Sequence, residues 1–281
     1  MFVFMNNLKT AALLGGLFAL LVWVGSYWGT QGMIVFGTLA LMMNVGSWFF
    51  SDKIAIAAMR GVEVNQQTAP DLHAIVAQLA QRANLPMPRI YVCPQEAPNA
   101  FATGRNPRHA AVAVTQGALR LLDHEELTGV LGHELAHVKN RDTLTSCIAA
   151  TVAGLFSMMA QSAMWFGGYA GNRRDSNPLA LVFMLLLGSL GAALIKAMIS
   201  RSREYVADAD GAKFAGSPHG LVSALQKLDA VAHRVPMQTP NPAMNNMFIV
   251  EPLMSRTLMN LFASHPPTED RVRHLLSEWK S

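Results

Sequence analysis

Three long stretches of the chain carry no charged side chain, and they constrain the fold more than any other feature. Residues 10–51, 143–172 and 176–195 contain none of the 40 Asp, Glu, Lys and Arg residues. Because a membrane crossing needs about 20 apolar residues, the first stretch is long enough for two crossings and each of the others for one. The sequence therefore predicts four transmembrane helices in two hairpins. The predicted spans are approximately residues 10–28, 33–50, 145–168 and 178–199.

The basic residues near these spans predict which side of the membrane the soluble segments face. Lys9, Lys53, Lys139 and Lys196 lie beside the ends of the spans, and the first hairpin turn carries no charge, although the second carries two arginines. Cytoplasmic segments are enriched in Lys and Arg, so we expect both termini and both soluble segments in the cytosol. The first apolar run is longer than the core of a signal peptide, and no cleaved leader is expected. The same placement explains the net charge of +4 without a nucleic-acid partner.

The spans divide the chain into four predicted parts. Residues 1–51 and 143–200 form the two membrane hairpins, and residues 52–142 and 201–281 form two halves of one cytosolic domain. An even number of crossings returns both soluble segments to the same side of the membrane. They can therefore contribute to one shared site.

The first soluble segment has the pattern of a small α/β unit. Apolar residues recur at helical spacing in residues 70–82, and residues 89–93, 99–103 and 109–115 have the composition or alternation of strands. Residues 201–281 are predicted to be mainly helical. The predicted fold class is an α+β integral membrane protein, with a mainly helical cytosolic domain, a small β-sheet and four transmembrane helices.

A His-Glu-Leu-Ala-His motif at residues 133–137 predicts a metal site. Residues four apart lie on the same face of a helix, so His133 and His137 can direct ring nitrogens at one ion. Glu134 borders that ion without joining the ligands, and it can take a proton from an activated water. Two imidazoles and one oxygen ligand are suited to zinc. The Asp-His-Glu-Glu sequence at 123–126 has the pattern of a capping box, which predicts a helix that continues to about residue 142.

The third protein ligand can be sought after the fourth predicted span. Glu204 follows that span on the same side of the membrane, and Asp208 lies one helical turn further. Asp208 is therefore placed to orient a metal-binding histidine by accepting its other N–H. From the residues alone, an alternative stays open, in which Glu204 and Asp208 belong to a solvated helix face.

Taken together, these motifs resemble the HtpX family of membrane-bound zinc metalloproteases, which are gluzincins related to the CAAX prenyl endopeptidases. The resemblance covers essentially the whole chain and has the four spans in the same order. It implies a zincin-like domain with one Zn²⁺ held by His133, His137 and Glu204, and Glu134 as the catalytic base. It rests on residues 133–137, on residues 204–208, on Asn99-Ala100-Phe101 and on the His-Pro-Pro-Thr-Glu-Asp-Arg segment at 265–271.

The resemblance also implies roles for residues outside the metal site. Asp208 becomes a neighbour of the ligands, and His265 faces the active site and stabilises the oxyanion of the transition state. Arg271 braces that region, for example by pairing with Asp208. The segment Asn99, Ala100 and Phe101 is the edge that binds substrate, although an ordinary hairpin strand with Phe101 in the core is an equal alternative.

The predicted function is membrane protein quality control in the bacterial cytoplasmic membrane, by a zinc endopeptidase that cleaves misfolded or damaged membrane proteins on the cytosolic side. A prenyl-peptide endoprotease is an alternative, but four spans offer little room to enclose a lipidated peptide. A zinc-binding scaffold or chaperone without peptidase activity is a second alternative, which the intact Glu134 disfavours. The loop at 234–252, rich in Pro, Asn and Met, is either an active-site lid or a mobile flap.

Overall fold

A computed structural model of the chain describes residues 2–145, 148, 201–232 and 266–279. The chain begins with a helical hairpin formed by α1 (Phe2–Ser26) and α2 (Gly29–Ala58), which pack against each other. Large apolar side chains of this hairpin are exposed, including Trp23, Ile34 and Met42. Exposed apolar surface on this scale is typical of a surface that meets lipid or a protein partner.

The helix pair includes the first two predicted spans, but the prediction of four crossings is not confirmed. Within the described part of the chain, α2 alone is long and apolar enough to cross a membrane, whereas the apolar part of α1, Thr10–Ser26, is shorter. The other two predicted spans, 145–168 and 178–199, lie outside the described residues except for positions 145 and 148.

A four-stranded mixed sheet follows the hairpin, in the spatial order β1-β2-β4-β3. Its strands are β1 (Val62–Val64), β2 (Arg89–Cys93), β3 (Ala100–Thr103) and β4 (Ala111–Thr115). The β2–β4 pair is parallel and the other two pairs are antiparallel, so β3 lies at an edge of the sheet. All three predicted strands are present. The last begins at Ala111 instead of residue 109 because Pro107–His109 form a 3₁₀ turn that the Asn106 side chain caps.

The remaining described elements are helices. They are α3 (Pro70–Ala83), α4 (Gln116–Leu121), α5 (His124–Asn140), α6 (Arg201–Ala215), α7 (His219–Ala232) and α8 (Thr268–Trp279). The predicted capping box of α5 is present, with Asp123 accepting from the Glu126 amide and Glu126 accepting from the Asp123 amide. The helix ends two residues earlier than predicted, because Arg141 adopts a left-handed conformation with φ of 58°.

Helix α5 lies at the centre of the domain that follows the helical hairpin, and it packs against α3, α6, α7 and β3. Its Leu131 and Leu135 are fully buried in the main hydrophobic core. The backbones of α5 and α6 approach most closely at Gly132 and Gly211. A Cβ atom at Gly211 would lie 2.6 Å from the backbone nitrogen of His133, and one at Gly132 would lie 2.7 Å from the carbonyl oxygen of Gly211. This contact sets the distance between the two helices that carry the predicted metal ligands.

Candidate active site

The two histidines of the motif lie one turn apart on α5, as their spacing predicts. Their Nε2 atoms are 3.2 Å apart and their rings are nearly perpendicular, at 88°. His133 is almost completely buried and His137 is partly exposed. Both Nε2 atoms are therefore directed at the same small volume beside the helix.

Glu204 on α6 supplies an oxygen ligand to the same volume. Its carboxylate oxygens lie 3.7 Å from His133 Nε2 and 3.6 Å from His137 Nε2. Ligand atoms of the three residues all lie within 4.8 Å of one another. A set of two imidazoles and one carboxylate suits zinc and leaves a coordination position open for catalysis. The residues present therefore fit a catalytic zinc site.

Asp208 and Arg271 both contact His133, Asp208 at the Nδ1 atom and Arg271 with its Nη2 atom 3.4 Å from each ring nitrogen. Asp208 Oδ1 is 2.9 Å from His133 Nδ1, and the Arg271 guanidinium on α8 donates to both Asp208 oxygens at 2.6 and 2.9 Å. Burial would raise the pKa of the Asp208 carboxyl, but the positive charge and hydrogen bonds of Arg271, together with His133, lower it to about 2. Asp208 is thus an ionised acceptor that fixes the ring orientation of His133.

His137 is held by a second carboxylate–arginine pair, Asp142 and Arg203, which the sequence analysis did not predict. Asp142 Oδ2 lies 3.2 Å from His137 Nδ1, and Arg203 donates to the other Asp142 oxygen at 3.0 Å. Asp142 reaches His137 because Arg141, in its left-handed conformation, turns the chain back at the end of α5. The sequence shows an acidic residue just after the helix, but its contact with His137 depends on the left-handed turn at Arg141, which the sequence does not predict.

The carboxylates around His137 make the site favourable for a cation. Burial would lower the pKa of His137, but the hydrogen bond with Asp142 and the negative charges of Glu204, Asp142 and Glu134 raise it to about 9. The negative potential that stabilises a proton at His137 also stabilises a metal ion. The negative potential and the positions of the ligand atoms therefore both favour a metal ion at this site.

Glu134 connects the metal-site helix to the edge of the sheet. Its Oε2 accepts a 2.8 Å hydrogen bond from the backbone N–H of Ala102 on β3, and the side chain is 7% exposed. The predicted base therefore lies between the histidines and the edge strand. A group held at that position can exchange protons with a molecule bound along β3.

The predicted substrate-binding segment is divided between two environments. Asn99 is tied to β4, because its amide donates to the Thr115 hydroxyl and its carbonyl accepts from the Thr115 amide. Phe101 is 2% exposed and packs in a hydrophobic cluster with Ile56 and Tyr91. Ala100 packs against the α5 side of the core. The Phe101 side chain has the position expected of a core residue in an edge strand.

His265 and the 234–252 loop lie outside the described residues. Their predicted roles, in oxyanion stabilisation and as a lid or flap, remain predictions. The residue after His265, Pro266, is buried, and α8 starts two residues later at Thr268. Arg271, on the first turn of α8, contacts Asp208, so the start of this helix is held close to the metal ligands.

Comparison with known proteins shows the family to which the chain belongs. A model of peptidase family M48 matches residues 66–279, which include every predicted ligand. The chain belongs to peptidase family M48. The metalloprotease is similar over nearly its whole length to a "Protease HtpX homolog" from Syntrophobacter fumaroxidans, with 48% identity over 279 residues, 97% of this chain and 99% of the relative. A "Protease HtpX homolog" from Desulfatibacillum aliphaticivorans is 50% identical over 277 residues, 96% of this chain and 89% of the relative.

The fold of the M48 metalloprotease is also found in a solved structure. The crystal structure of S. mikatae Ste24p has a TM-score of 0.54 and 18% sequence identity, and the match covers 97% of this chain. The chain spans 64% of the length of that protein, so the comparison shows the shared fold alone. With the close relatives, these findings confirm the predicted membrane-bound protease of the HtpX family. A scaffold without peptidase activity is not supported.

Proposed function

We propose that this M48 metalloprotease uses one zinc ion to cleave misfolded or damaged proteins of the bacterial cytoplasmic membrane from the cytosolic side. The main support for the proposal is that the side chains of His133, His137 and Glu204 converge beside a glutamate that is hydrogen-bonded to the edge strand β3. A metal-activated water, a base and a peptide-binding edge are the components that hydrolysis of an extended chain requires.

His133, His137 and Glu204 would hold the zinc ion, with Asp208 and Asp142 fixing the two imidazole rings. When bound, zinc supplies Lewis acidity, which makes a water molecule more acidic and polarises the scissile carbonyl. Glu134 accepts the proton of the attacking water and passes it to the leaving nitrogen. In this proposal His265 donates to the developing oxyanion, and Arg271 keeps Asp208 ionised. The side chains act by acid–base chemistry, and no covalent acyl-enzyme forms.

The backbone of β3 offers the substrate a template. Asn99 bonds to β4, and Ala102, three residues on, donates its N–H to Glu134 on the opposite side. Backbone groups alternate in direction along a strand, so those of Ala100 and Ala102 point away from β4. A substrate that adds a strand there is recognised mainly through its backbone, which permits many sequences. Unfolded segments of damaged proteins have this extended, accessible backbone.

The proposed topology has membrane hairpins at residues 1–51 and 143–200, and cytosolic halves at 52–142 and 201–281. The apolar helix α2 and the basic residues that follow its uncharged part support it. Single cysteines at Tyr27 and Val62, which are both well exposed, test it. An impermeant maleimide should label Tyr27→Cys in intact spheroplasts and label Val62→Cys only after lysis. The reverse pattern would invert the orientation.

The proposed activity is tested with casein as an unfolded substrate and the detergent-purified, zinc-loaded chain. The Glu134→Gln variant keeps the ligand set but removes the base, so we expect casein cleavage to fall about 10²- to 10⁴-fold. A chelator should stop cleavage by the unmodified chain, and added zinc should restore it. Equal cleavage by both proteins would show that Glu134 is not the base. Cleavage that continues in chelator would contradict the metal mechanism.

A further inference from the structure

A cavity of about 580 Å³ opens where the end of α2 meets the sheet. It is lined by residues from α2, from β2 and from the segment that precedes β4, and none of the described active-site residues lines it. The proposed catalytic mechanism leaves this cavity without a role.

Basic side chains surround one end of the cavity. Lys53, Arg105 and Arg108 line it, and within the described part of the chain none of the three forms an ion pair with a carboxylate. Arg89 also lines the cavity, but Asp52 neutralises it through a close ion pair. Among the described residues, the basic end therefore has three positive charges without a carboxylate partner, and such a group of charges suits a phosphate.

The other end of the cavity is apolar and belongs to the uncharged part of α2. Val45, Phe49 and Phe50 line it, and each is about half exposed. From Val45 to Lys53 the helix rises about 12 Å, at 1.5 Å per residue. Aromatic rings join the two ends, since Arg105 lies 5.3 Å from the Phe49 ring centre and Lys53 lies 5.5 Å from that of Phe50. One cavity therefore joins a group of basic side chains to an exposed apolar surface of α2.

We propose that this cavity binds an anionic phospholipid, with its phosphate between Lys53, Arg105 and Arg108 and an acyl chain along Val45 and Phe49. Basic pockets at the cytoplasmic boundary of membrane helices suit anionic headgroups. A free phosphate would use the basic end alone, whereas a lipid uses both ends. The inference rests on the proposed topology, in which residue 50 ends a membrane span. The bound lipid holds the sheet at the membrane surface, because the cavity wall includes both α2 and β2.

Native mass spectrometry of the detergent-purified full chain tests the proposal. Dioleoyl phosphatidylglycerol, the matching phosphatidylcholine and inorganic phosphate are added in separate titrations. We expect the chain to retain one phosphatidylglycerol at concentrations where phosphatidylcholine and phosphate are lost. Equal retention of the two lipids would overturn the requirement for negative charge. Binding of inorganic phosphate as tight as that of phosphatidylglycerol would show that the site does not need a lipid.

Charge-removing variants connect the binding to this cavity. Arg105→Gln combined with Arg108→Gln should weaken phosphatidylglycerol binding about 30-fold, because each basic residue near an anionic membrane surface contributes about fivefold in affinity. Arg120→Gln is the matched control, since Arg120 is exposed, pairs with Glu96 and lies outside the cavity. A double variant that binds the lipid as tightly as the unmodified chain would refute the site. Casein cleavage in detergent reports the peptidase separately, so failure of either proposal is recognised without the other.

Discussion

Substituting Gly211 by alanine should separate the metal ligands without changing any of them. Gly211 on α6 faces the backbone of α5, and an added Cβ would lie 2.6 Å from the His133 nitrogen and 2.7 Å from its Cα. Ordinary contacts begin near 3.4 Å. Because the opposing atoms belong to the backbone, no side-chain rotation relieves the clash. The two helices must therefore move apart by roughly 0.8 Å, the difference between these distances, which exceeds the tolerance of about 0.5 Å for a catalytic arrangement.

The displacement should weaken catalysis more than it weakens folding. Overpacking costs about 1–3 kcal/mol, and alanine recovers about 1 kcal/mol because it favours the helix more than glycine does. We therefore expect a net loss of stability of about 0–2 kcal/mol. Glu204 lies on α6 and the histidines on α5, so the same movement lengthens the distances between ligands. A shift near 1 Å at a reacting site reduces activity by roughly 10²-fold.

Casein cleavage, the thermal midpoint and competition for zinc with a chelator measure these effects together. Gly220→Ala is one control, because its Cβ would lie 2.2 Å from the Glu125 oxygen at the start of α5, away from the ligands. It should destabilise the domain with less effect on zinc affinity. Gly46→Ala, where no atom lies within 4 Å of the added Cβ, should change neither property. Full activity and unchanged zinc affinity in Gly211→Ala would refute the idea that this contact sets the ligand spacing.

Three other perturbations test separate parts of the structure. Asp142→Asn should weaken zinc binding about 10- to 100-fold, and excess zinc should restore casein cleavage. An unchanged zinc affinity would show that Asp142 does not position His137. Phe101→Ala should cost about 3–5 kcal/mol of stability, measured as a lower thermal midpoint, whereas a raised KM at unchanged midpoint would indicate substrate contact. Burial would raise the pKa of Glu126, but hydrogen bonds from Lys227, Ser223 and the Asp123 amide lower it below its usual value of 4.5. The ionised Glu126 carboxylate therefore stabilises the fold above pH 4.5, and this stabilisation is lost as the pH falls through the lowered pKa. On acidification, the thermal midpoint of Glu126→Gln should fall less than that of the unmodified chain.

The motif on α5 could be predicted from the sequence because its information is local. The spacing of His133 and His137 and the capping box at Asp123 act within one helix, and the structure contains both. Strand β1 was missed because three residues are too few to show an alternating pattern. The pairing of Asp142 with Arg203 was missed because 61 residues separate them and the turn at the end of α5 brings Asp142 back.

Residues brought together from distant segments required the family resemblance. From the residues alone, Glu204 and Asp208 are equally compatible with a solvated helix face, because nothing local indicates that α6 packs on α5. The structure shows them buried, at 3% and 1% exposure, because the glycines at 132 and 211 let the two helices meet. Hydropathy predicts the four spans from composition, but the described residues include only the first pair. That part of the prediction stays open to the labelling experiment.

The charges around the site explain why a divalent ion suits it. Four carboxylates surround the two histidines within the described residues: Glu134, Asp142, Glu204 and Asp208. Arg203 and Arg271 balance two of them, through Asp142 and Asp208 respectively. Counted over the described residues, the four carboxylates and two guanidinium groups leave an excess of negative charge around the histidines, which favours a cation there.

A cation held by His133, His137 and Glu204 would be stabilised by this negative potential, which also raises the pKa of His137 to about 9 against the opposing effect of burial. Burial would lower the pKa of Arg271, but the negative charges of Asp208, Glu204 and Glu134 raise it, so this guanidinium acts on the proposed ligand and the proposed base as well as on Asp208. In the proposed mechanism, the Arg203–Asp142 and Arg271–Asp208 pairs would hold the two histidine rings, and the excess negative charge of the site would favour the bound ion.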